Sequence, residues 1–597
     1  MKDILSQAKA YLCVCLLLLF VGCNQKEQKY QAIDTTSEQI SELYNRYLTN
    51  AITNLDRIDI DELAPEEGQR YYMEARKNFK LLEPILSHSD KNNYKSLNAP
   101  NIIQVKGEDT QDTKVIQPIG FQVIEENLYE SEIDTVTLKR AINITSARLK
   151  LIKENFSLQL KNYHIIWLIR DQLVRIATTG ITGFDSPVLN QSLLESAYTY
   201  QTLIDIVKMN ASKFHSKELM DKFIVSLQQS QKELEHDFDT FDRFSFIKKN
   251  TDPQLEMLVE IQKDWKVNFP FEMALSNNMT TLFSEDALNI TYFSDRLNDT
   301  TNMVEKQIFG KELFNNTSLS KDYNMACATC HVEELAFTDG RKTFDVNQTR
   351  NTPTVAYAAY QQSFFTDARA GSLEGQVVGV VKNHNEFNMS MDSIVGRVLK
   401  NKKYKEKIAD LYGNKRIGMN IRHAIASYIR TLSSFNSKFD KNIRGEENTL
   451  TDEEKLGFNV FMGKGMCATC HFPPVFNGTV PPNFNDTELE FIGVPATTDT
   501  INPKLSTDLG RYNLFKTEER KHFFKTPTIR NAGKTAPYMH NGVYNTLEEV
   551  MEFYNKGGGA GLGLHNDNQT LPFDNLQLSS KEIKALVAFT KTLTDQE

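Results

Sequence analysis

The segment Cys-Ala-Thr-Cys-His occurs twice, at Cys327–His331 and Cys467–His471, with equivalent positions 140 residues apart. Two thiols at i and i+3 on a turn can reach the two vinyl groups of one porphyrin. The histidine that follows then lies under the ring and offers an axial nitrogen to iron. A Cys-x-x-Cys pair alone would be ambiguous between zinc, a redox disulfide and haem. The trailing histidine, present both times, selects covalent c-type haem. Cys327, Cys330, His331, Cys467, Cys470 and His471 are therefore expected to hold two haems. The chain has seven cysteines, and the other three are Cys13, Cys15 and Cys23, within or at the end of a leader. None remains for a disulfide framework or a thiol nucleophile.

The leader spans Met1 to Gly22, with Lys2 and Lys9 followed by the apolar run Tyr11–Val21. That run is about half the length a membrane-spanning helix needs, so residues 1–22 read as a signal peptide. Val21-Gly22-Cys23 resembles a bacterial lipoprotein cleavage site, which makes Cys23 the expected lipidation site; the alternative is ordinary secretory cleavage with a free thiol. Either way the chain is expected in the cell envelope or periplasm, where c-type haem is attached. The lipid would tie an otherwise soluble protein to a membrane. A net charge of −9, from 77 acidic against 68 basic residues, argues against nucleic acid as a partner.

These sites need elements to position them, and 597 residues suffice for several domains. The fold class expected is mainly α: a helical bundle followed by two cytochrome c-like domains. Residues 23–37 are polar and read as a tether, and 38–297 as the bundle. Ile152, Phe156, Leu160, Tyr163 and Trp167 recur at spacings of four and three, predicting one helix face, with similar stretches at Leu193–Met209 and Leu219–Phe246. Gly180-Ile-Thr-Gly183 and Asp185-Ser-Pro187 separate them. After about Asn298 glycine, proline and loop residues become frequent, as expected where porphyrin replaces side chains in the core. Residues 298–445 form the first haem domain and 446–597 the second, divided by the charged stretch Arg444–Thr451.

Within the bundle, Gly120-Phe-Gln-Val-Ile-Glu125 resembles the Gly-x-His-x-x-Glu segment of imelysin-like helical domains, which are associated with iron uptake. The histidine position is Gln122, a poor metal ligand; the plain reading is an amphipathic helix with Glu125 on its wet face.

The haem half, from about Val304 to Thr594, resembles the bacterial di-haem cytochrome c peroxidases, including the MauG-type enzymes. The resemblance rests on Leu313-Phe, Ala336-Phe-Thr-Asp-Gly-Arg341, Arg350-Asn-Thr-Pro-Thr354 and Phe365-Thr-Asp-Ala-Arg-Ala370. It continues through Ser372-Leu-Glu-Gly-Gln376, Asp508-Leu-Gly-Arg511, Lys525-Thr-Pro-Thr-Ile-Arg-Asn531 and Ala536-Pro-Tyr-Met-His-Asn-Gly542. It implies a first haem that meets peroxide on an open face and a second that receives electrons. It also implies catalytic Gln376, an orienting amide, and catalytic Glu386, a proton shuttle. His384, without a role in the family, reads as a loop residue.

Three features bear on which branch of the family the chain resembles. No histidine lies between His331 and Pro353, where many members cap the oxidised first haem; the position falls near Asn347, so this haem looks constitutively open. Thr366 stands where a tryptophan usually lies between the haems, which leaves direct tunnelling, the haem edges, or Phe364 and Phe365. The sixth ligand of the second iron maps to Tyr554, as in MauG-type members, with Met551, Met539 or no protein ligand as alternatives. A calcium ion is implied at Asn351, Thr535 and the Pro537 carbonyl.

The function expected is reduction of hydrogen peroxide to water with electrons from a donor cytochrome or similar carrier. One alternative is a MauG-type oxidase using high-valent iron to modify a protein or small molecule. The other is a non-catalytic electron-transfer or iron-binding lipoprotein. A second copy of the chain stays open as a partner.

Overall fold

The computed structural model describes residues 36–110, 112–130, 132–296, 299–564 and 568–596. The expected signal peptide and Cys23 lie outside them. The first part is helical: α1 (Thr36–Leu55), α2 (Pro65–Ser89), α3 (Lys91–Leu97), α4 (Phe121–Tyr129), α5 (Thr135–Asn155), α6 (Asn162–Arg175), α7 (Ser192–Met209), α8 (Lys217–Glu233), α9 (Arg243–Phe246) and α10 (Asp252–Asp264). A small antiparallel pair, β1 (Gln104–Lys106) with β2 (Lys114–Ile116), sits between α3 and α4. The stretch from Trp265 to Arg296 holds turns, short 3-10 segments and an isolated antiparallel bridge between Leu275 and Leu288.

Local chemistry explains these bounds. In α1 the buried residues Ile40, Leu43, Tyr44, Leu48, Ala51, Ile52 and Leu55 form a helical stripe. Asp134 caps α5 by accepting from the Val136 and Thr137 amides. The single helix face expected from Ile152 to Trp167 is corrected by the structure: α5 ends at Asn155 and α6 begins at Asn162. Phe156 stacks on Tyr44 at 4.0 Å, and Ser37 Oγ both donates to and accepts from Leu160 backbone groups. Those tertiary contacts hold the intervening residues extended, which periodicity alone could not foresee.

The haem half repeats one plan. In the first copy α11 (Met303–Phe314) crosses α15 (Ile417–Ile429), with α12 (Leu373–Lys382), α13 (Met391–Lys400) and α14 (Lys402–Tyr412) between them in sequence. Then come α16 (Lys438–Ile443), the linker, α17 (Asp452–Met462), α18 (Leu547–Asn555) and α19 (Ser580–Thr592). In the second copy α17 crosses α19. Each crossing turns on a glycine: a Cβ on Gly310 would lie 1.9 Å from the Ala424 carbonyl oxygen, and one on Gly457 1.9 Å from that of Ala585. Only a residue without a side chain lets the helix backbones approach this closely. A short antiparallel pair, β3 (Leu489–Glu490) with β4 (Phe524–Lys525), lies in the second copy.

One connected cluster of buried apolar side chains runs from Ile40 to Leu593, through the bundle and both haem copies. Phe283, after the last bundle helix, packs its ring on Phe439 and Phe476, and Arg444 donates to the Phe283 carbonyl.

Candidate haem sites

The two attachment segments share their anchoring. Cys327–Cys330 forms one helical turn, and His331 Nδ1 donates to the Phe337 carbonyl at 3.0 Å. Cys467–Thr469 is a 3-10 turn, and His471 Nδ1 donates to the carbonyls of Pro527 at 3.0 Å and Phe476 at 3.3 Å. A carbonyl only accepts, so the proton is on Nδ1 and each Nε2 keeps its lone pair, as an iron ligand requires. Burial holds both rings below their usual pKa, His471 down to about 4. The loops are held alike: Thr354 Oγ1 donates to the Ala336 carbonyl at 2.6 Å and Thr528 Oγ1 to that of Val475 at 2.6 Å. Both threonines close a Thr-Pro-Thr segment, 352–354 and 526–528. The sequence contained this second repeated motif, but its task as scaffold of the proximal histidines needed the structure.

Above His331 lies a cavity of about 440 Å³, within the range of cofactor sites. Its walls include Phe314, Leu319, Val377, Val381, Ile394 and Ile425, and Cys327, Cys330 and His331 face it together. Apolar walls, paired thiols and a histidine with a free Nε2 suit a porphyrin.

Gln376 and Glu386 line this same cavity. Gln376 rides on α12, whose start is fixed by the Ser372 cap and by Arg430, which grips Glu374 with two bonds of 2.9 and 3.0 Å. Glu386 sits in the turn after α12, beside buried Phe387, and its Oε1 accepts from Asn383 Nδ2 at 2.7 Å. Burial pushes the Glu386 carboxyl up, against the lowering effects of Asn383 and the Arg369 charge. Exposed Asn347, Thr349 and Asn385 form the rim. Asn347 bonds to Asp345, and His384 is exposed with Nδ1 on Asn388 Oδ1, consistent with a loop histidine.

Between the sites, Phe365 and Thr366 line the first cavity whereas Phe364 is buried in the core. Arg369 lies 3.5 Å over the Phe365 ring. The Thr366 carbonyl accepts from the Lys525 amide at 2.8 Å, two residues before Pro527, the partner of His471. Arg350 bridges the copies through Asp367 at 2.7 Å and Asp508 at 2.5 Å.

At the second site, burial first and then Cys470, Cys467 and Glu490 push the Tyr554 phenol well above its ordinary pKa. The Tyr554 phenol thus lies near the two thiols, and it has no hydrogen-bond partner among the described residues. Met551 is packed in the main core, and Met539 in a small cluster around Val494, Val543, Tyr544 and Phe553. Asn351 Nδ2 donates to the Pro537 carbonyl at 2.8 Å, and Thr535 is two residues from that carbonyl.

The imelysin-like segment has a different role from the one its spacing suggested. Glu125 is buried rather than on a wet face, and accepts from Ser186 Oγ, the Val188 and Leu189 amides, and Tyr72. Nearby carboxylates are held by cations: Glu195 by Arg76, Asp185 by Arg175 and Lys80, Glu83 by Lys80. Burial alone would raise Asp185, but Arg175 and Lys80 hold it well below the usual range. This is a closed structural network whose acceptors are already engaged.

A family model described as di-haem cytochrome c peroxidase matches residues 304–448. The cytochrome-c peroxidase IdrP2 of Denitromonas iodatirespirans is 33% identical over 317 residues, covering 49% of this chain and 82% of that protein. The methylamine utilization protein MauG of Methylophilus methylotrophus is 32% identical over 299 residues, covering 49% of this chain and 82% of that protein. The chain belongs to the di-haem cytochrome c peroxidase family. A crystal structure of a MauG-like protein associated with microbial copper homeostasis is 26% identical, with a TM-score of 0.43, covering 49% of this chain and 90% of that one. Membership in this family implies two c-type haems, and the paired attachment segments supply the residues for both. The bundle lies outside the span matched by the family model.

Proposed function

We propose that this family member reduces hydrogen peroxide to water with electrons from a small cytochrome or similar carrier. The observation that carries this reading is the chamber above His331, where Gln376 and Glu386 meet in an apolar cavity with an exposed polar rim. Haem held there by Cys327, Cys330 and His331 would supply the redox chemistry of the reaction.

The side chains do the rest. The Gln376 amide orients the peroxide by hydrogen bonding. Glu386 accepts the proton of one peroxide oxygen and delivers it to the other, so that the O–O bond breaks with water as the leaving group. One peroxide, two protons and two electrons give two waters. The apolar walls exclude bulk water from this transfer. Cys467, Cys470 and His471 would hold the second haem, and Tyr554 would offer its phenolic oxygen to the metal. Burial disfavours the phenolate, so its ionisation there depends on the metal's charge. A phenolate favours the oxidised metal, which supports a second reading, oxidation of a protein or small molecule in the manner of MauG. The distal carboxylate argues against a simple electron carrier.

Calcium at Asn351, Thr535 and Pro537 would find neutral oxygen donors, and water would complete the six to eight ligands the ion takes. A lipid on Cys23 and an envelope location follow from the leader. Among the described residues no helix is long and apolar enough to cross a membrane.

The test is peroxide consumption by the purified full-length chain with a reduced small cytochrome. Two electrons withdrawn per peroxide are expected; a protein that carries both haems yet oxidises no donor refutes the reading.

A further inference from the structure

The bundle reaches the second haem site directly. The turn Ile176–Gly180 packs against Cys467–Thr469, and the Phe184 ring meets Phe472, next to His471, edge-on at 6.1 Å. Beside them Arg243, the first residue of α9, is fully buried. Its guanidinium lies flat on Gly463: a Cβ there would come within 2.5 Å of Cζ and 2.6 and 2.7 Å of Nη1 and Nη2. Gly463 ends α17 and opens the turn to Cys467, closed by the Met466 amide donating to the Gly463 carbonyl at 2.7 Å.

The partners of this cation are unusual. Nε donates to the Ile181 carbonyl at 2.7 Å, Nη1 to that of Phe241 at 3.1 Å and Nη2 to that of Phe238 at 2.8 Å. All three are neutral. Asp242, the adjacent acid, is turned to Ser245 and Asn459, and Asp237 and Asp239 are exposed. Burial pulls the guanidinium down to about 10 against the opposing charges of Asp239 and Asp237, so it stays charged at neutral pH. Every other fully buried arginine or lysine in the bundle, Arg76, Lys80, Arg170 and Arg175, has a carboxylate partner. An interior charge without a directly bonded carboxylate is costly, and three carbonyls with the more distant Asp239 and Asp237 compensate it only partly.

We propose that Arg243 is a positioning residue by which the bundle delivers a buried positive charge, with no carboxylate in direct contact, to the second haem's attachment turn and so raises that haem's reduction potential. A fixed cation disfavours the more positive, oxidised form. In a low-dielectric interior the effect is not screened by salt. The idea rests on haem attachment at Cys467 and Cys470, not on peroxide as the oxidant. It also gives the bundle a part in the redox chemistry.

The test is a spectroelectrochemical titration of the full-length two-haem protein. Arg243→Met should lower the second haem's potential by about tenfold in its reduced-to-oxidised ratio, the order expected of one nearby charge, at low and high salt alike. Arg243→Lys should keep the wild-type value, and the first haem should not move in either. Phe184→Leu, which loosens the interface without changing charge, should leave the potential in place. Gly463→Ala, which displaces the guanidinium, should shift it as Arg243→Met does. An unmoved potential in Arg243→Met, or in Gly463→Ala should Arg243→Met not fold, overturns the proposal. Equal falls in Arg243→Lys or Phe184→Leu also overturn it, since packing would then explain them. A wild type with one haem per chain would overturn the attachment on which it rests.

Discussion

The two haem sites begin from one pentapeptide and diverge on the far side. Below the ring they are copies: a histidine Nδ1 given to loop carbonyls, and a Thr-Pro-Thr segment pinning that loop. Above it, the first has a chamber with a carboxylate, an amide and an exposed rim, whereas the second has a tyrosine nearby and is packed on one flank by the bundle. The proximal half fixes that haem can be held. The distal half decides what the haem meets, and its residues lie about 45 to 85 positions downstream of each histidine. Identical attachment is thus paired with different surroundings, an open chamber at one site and a flank packed by the bundle at the other.

The sharpest way to break this comparison is Glu386→Gln. Both haems should remain bound while peroxide turnover falls by roughly 10²–10⁴, the range for a positioned acid–base group. Because burial raises the carboxyl pKa, the wild type should lose activity as pH falls through a value above the usual carboxylate range, where the base becomes protonated. That acid limb should vanish in the variant. Near wild-type turnover in steady-state assays would make the two distal sides functionally alike.

Tyr554→Met tests the other side. The second haem's potential should rise, on the order of 0.1 V or more given the roughly 0.8 V range that axial ligands span. Donor oxidation should become easier. If redox titration shows no movement, Tyr554 is a packing residue and the ligand lies elsewhere on or near α18.

Openness itself is measurable in the unaltered protein. With Asn347 at the rim and His384 turned to Asn388, the oxidised form should show one high-spin haem that binds cyanide without prior reduction. A wholly low-spin oxidised spectrum would mean that a side chain caps the first iron too.

The smallest effect probes what the sites share. Thr354→Val and Thr528→Val each remove one hydroxyl-to-carbonyl bond and should each cost about 1 kcal/mol of unfolding free energy. Denaturant titration giving very unequal losses would show that the proximal halves are not energetic copies.

Much of the site was legible because covalent attachment and its histidine must be neighbours in the chain. Cys327–His331 and Cys467–His471 are read without any fold. Gln376 and Glu386 were reached only through family likeness, since their separation carries no intrinsic code for sharing a cavity. The helix expected through Ile152 and Trp167 failed because Phe156 found Tyr44, and Glu125 was expected wet because periodicity cannot see the amides of Val188 and Leu189.

The sequence by itself determined the two attachment points, the mainly helical class and the catalytic family, because each rests on short-range spacing or ordered motifs. The tertiary structure decided which histidine nitrogen stays free, that Glu125 is buried in a polar network, and that Arg243 of the bundle lies on Gly463 of the second haem copy. Those outcomes depend on contacts between residues up to hundreds of positions apart. Burial and hydrogen-bond satisfaction settle them only once the whole chain has packed.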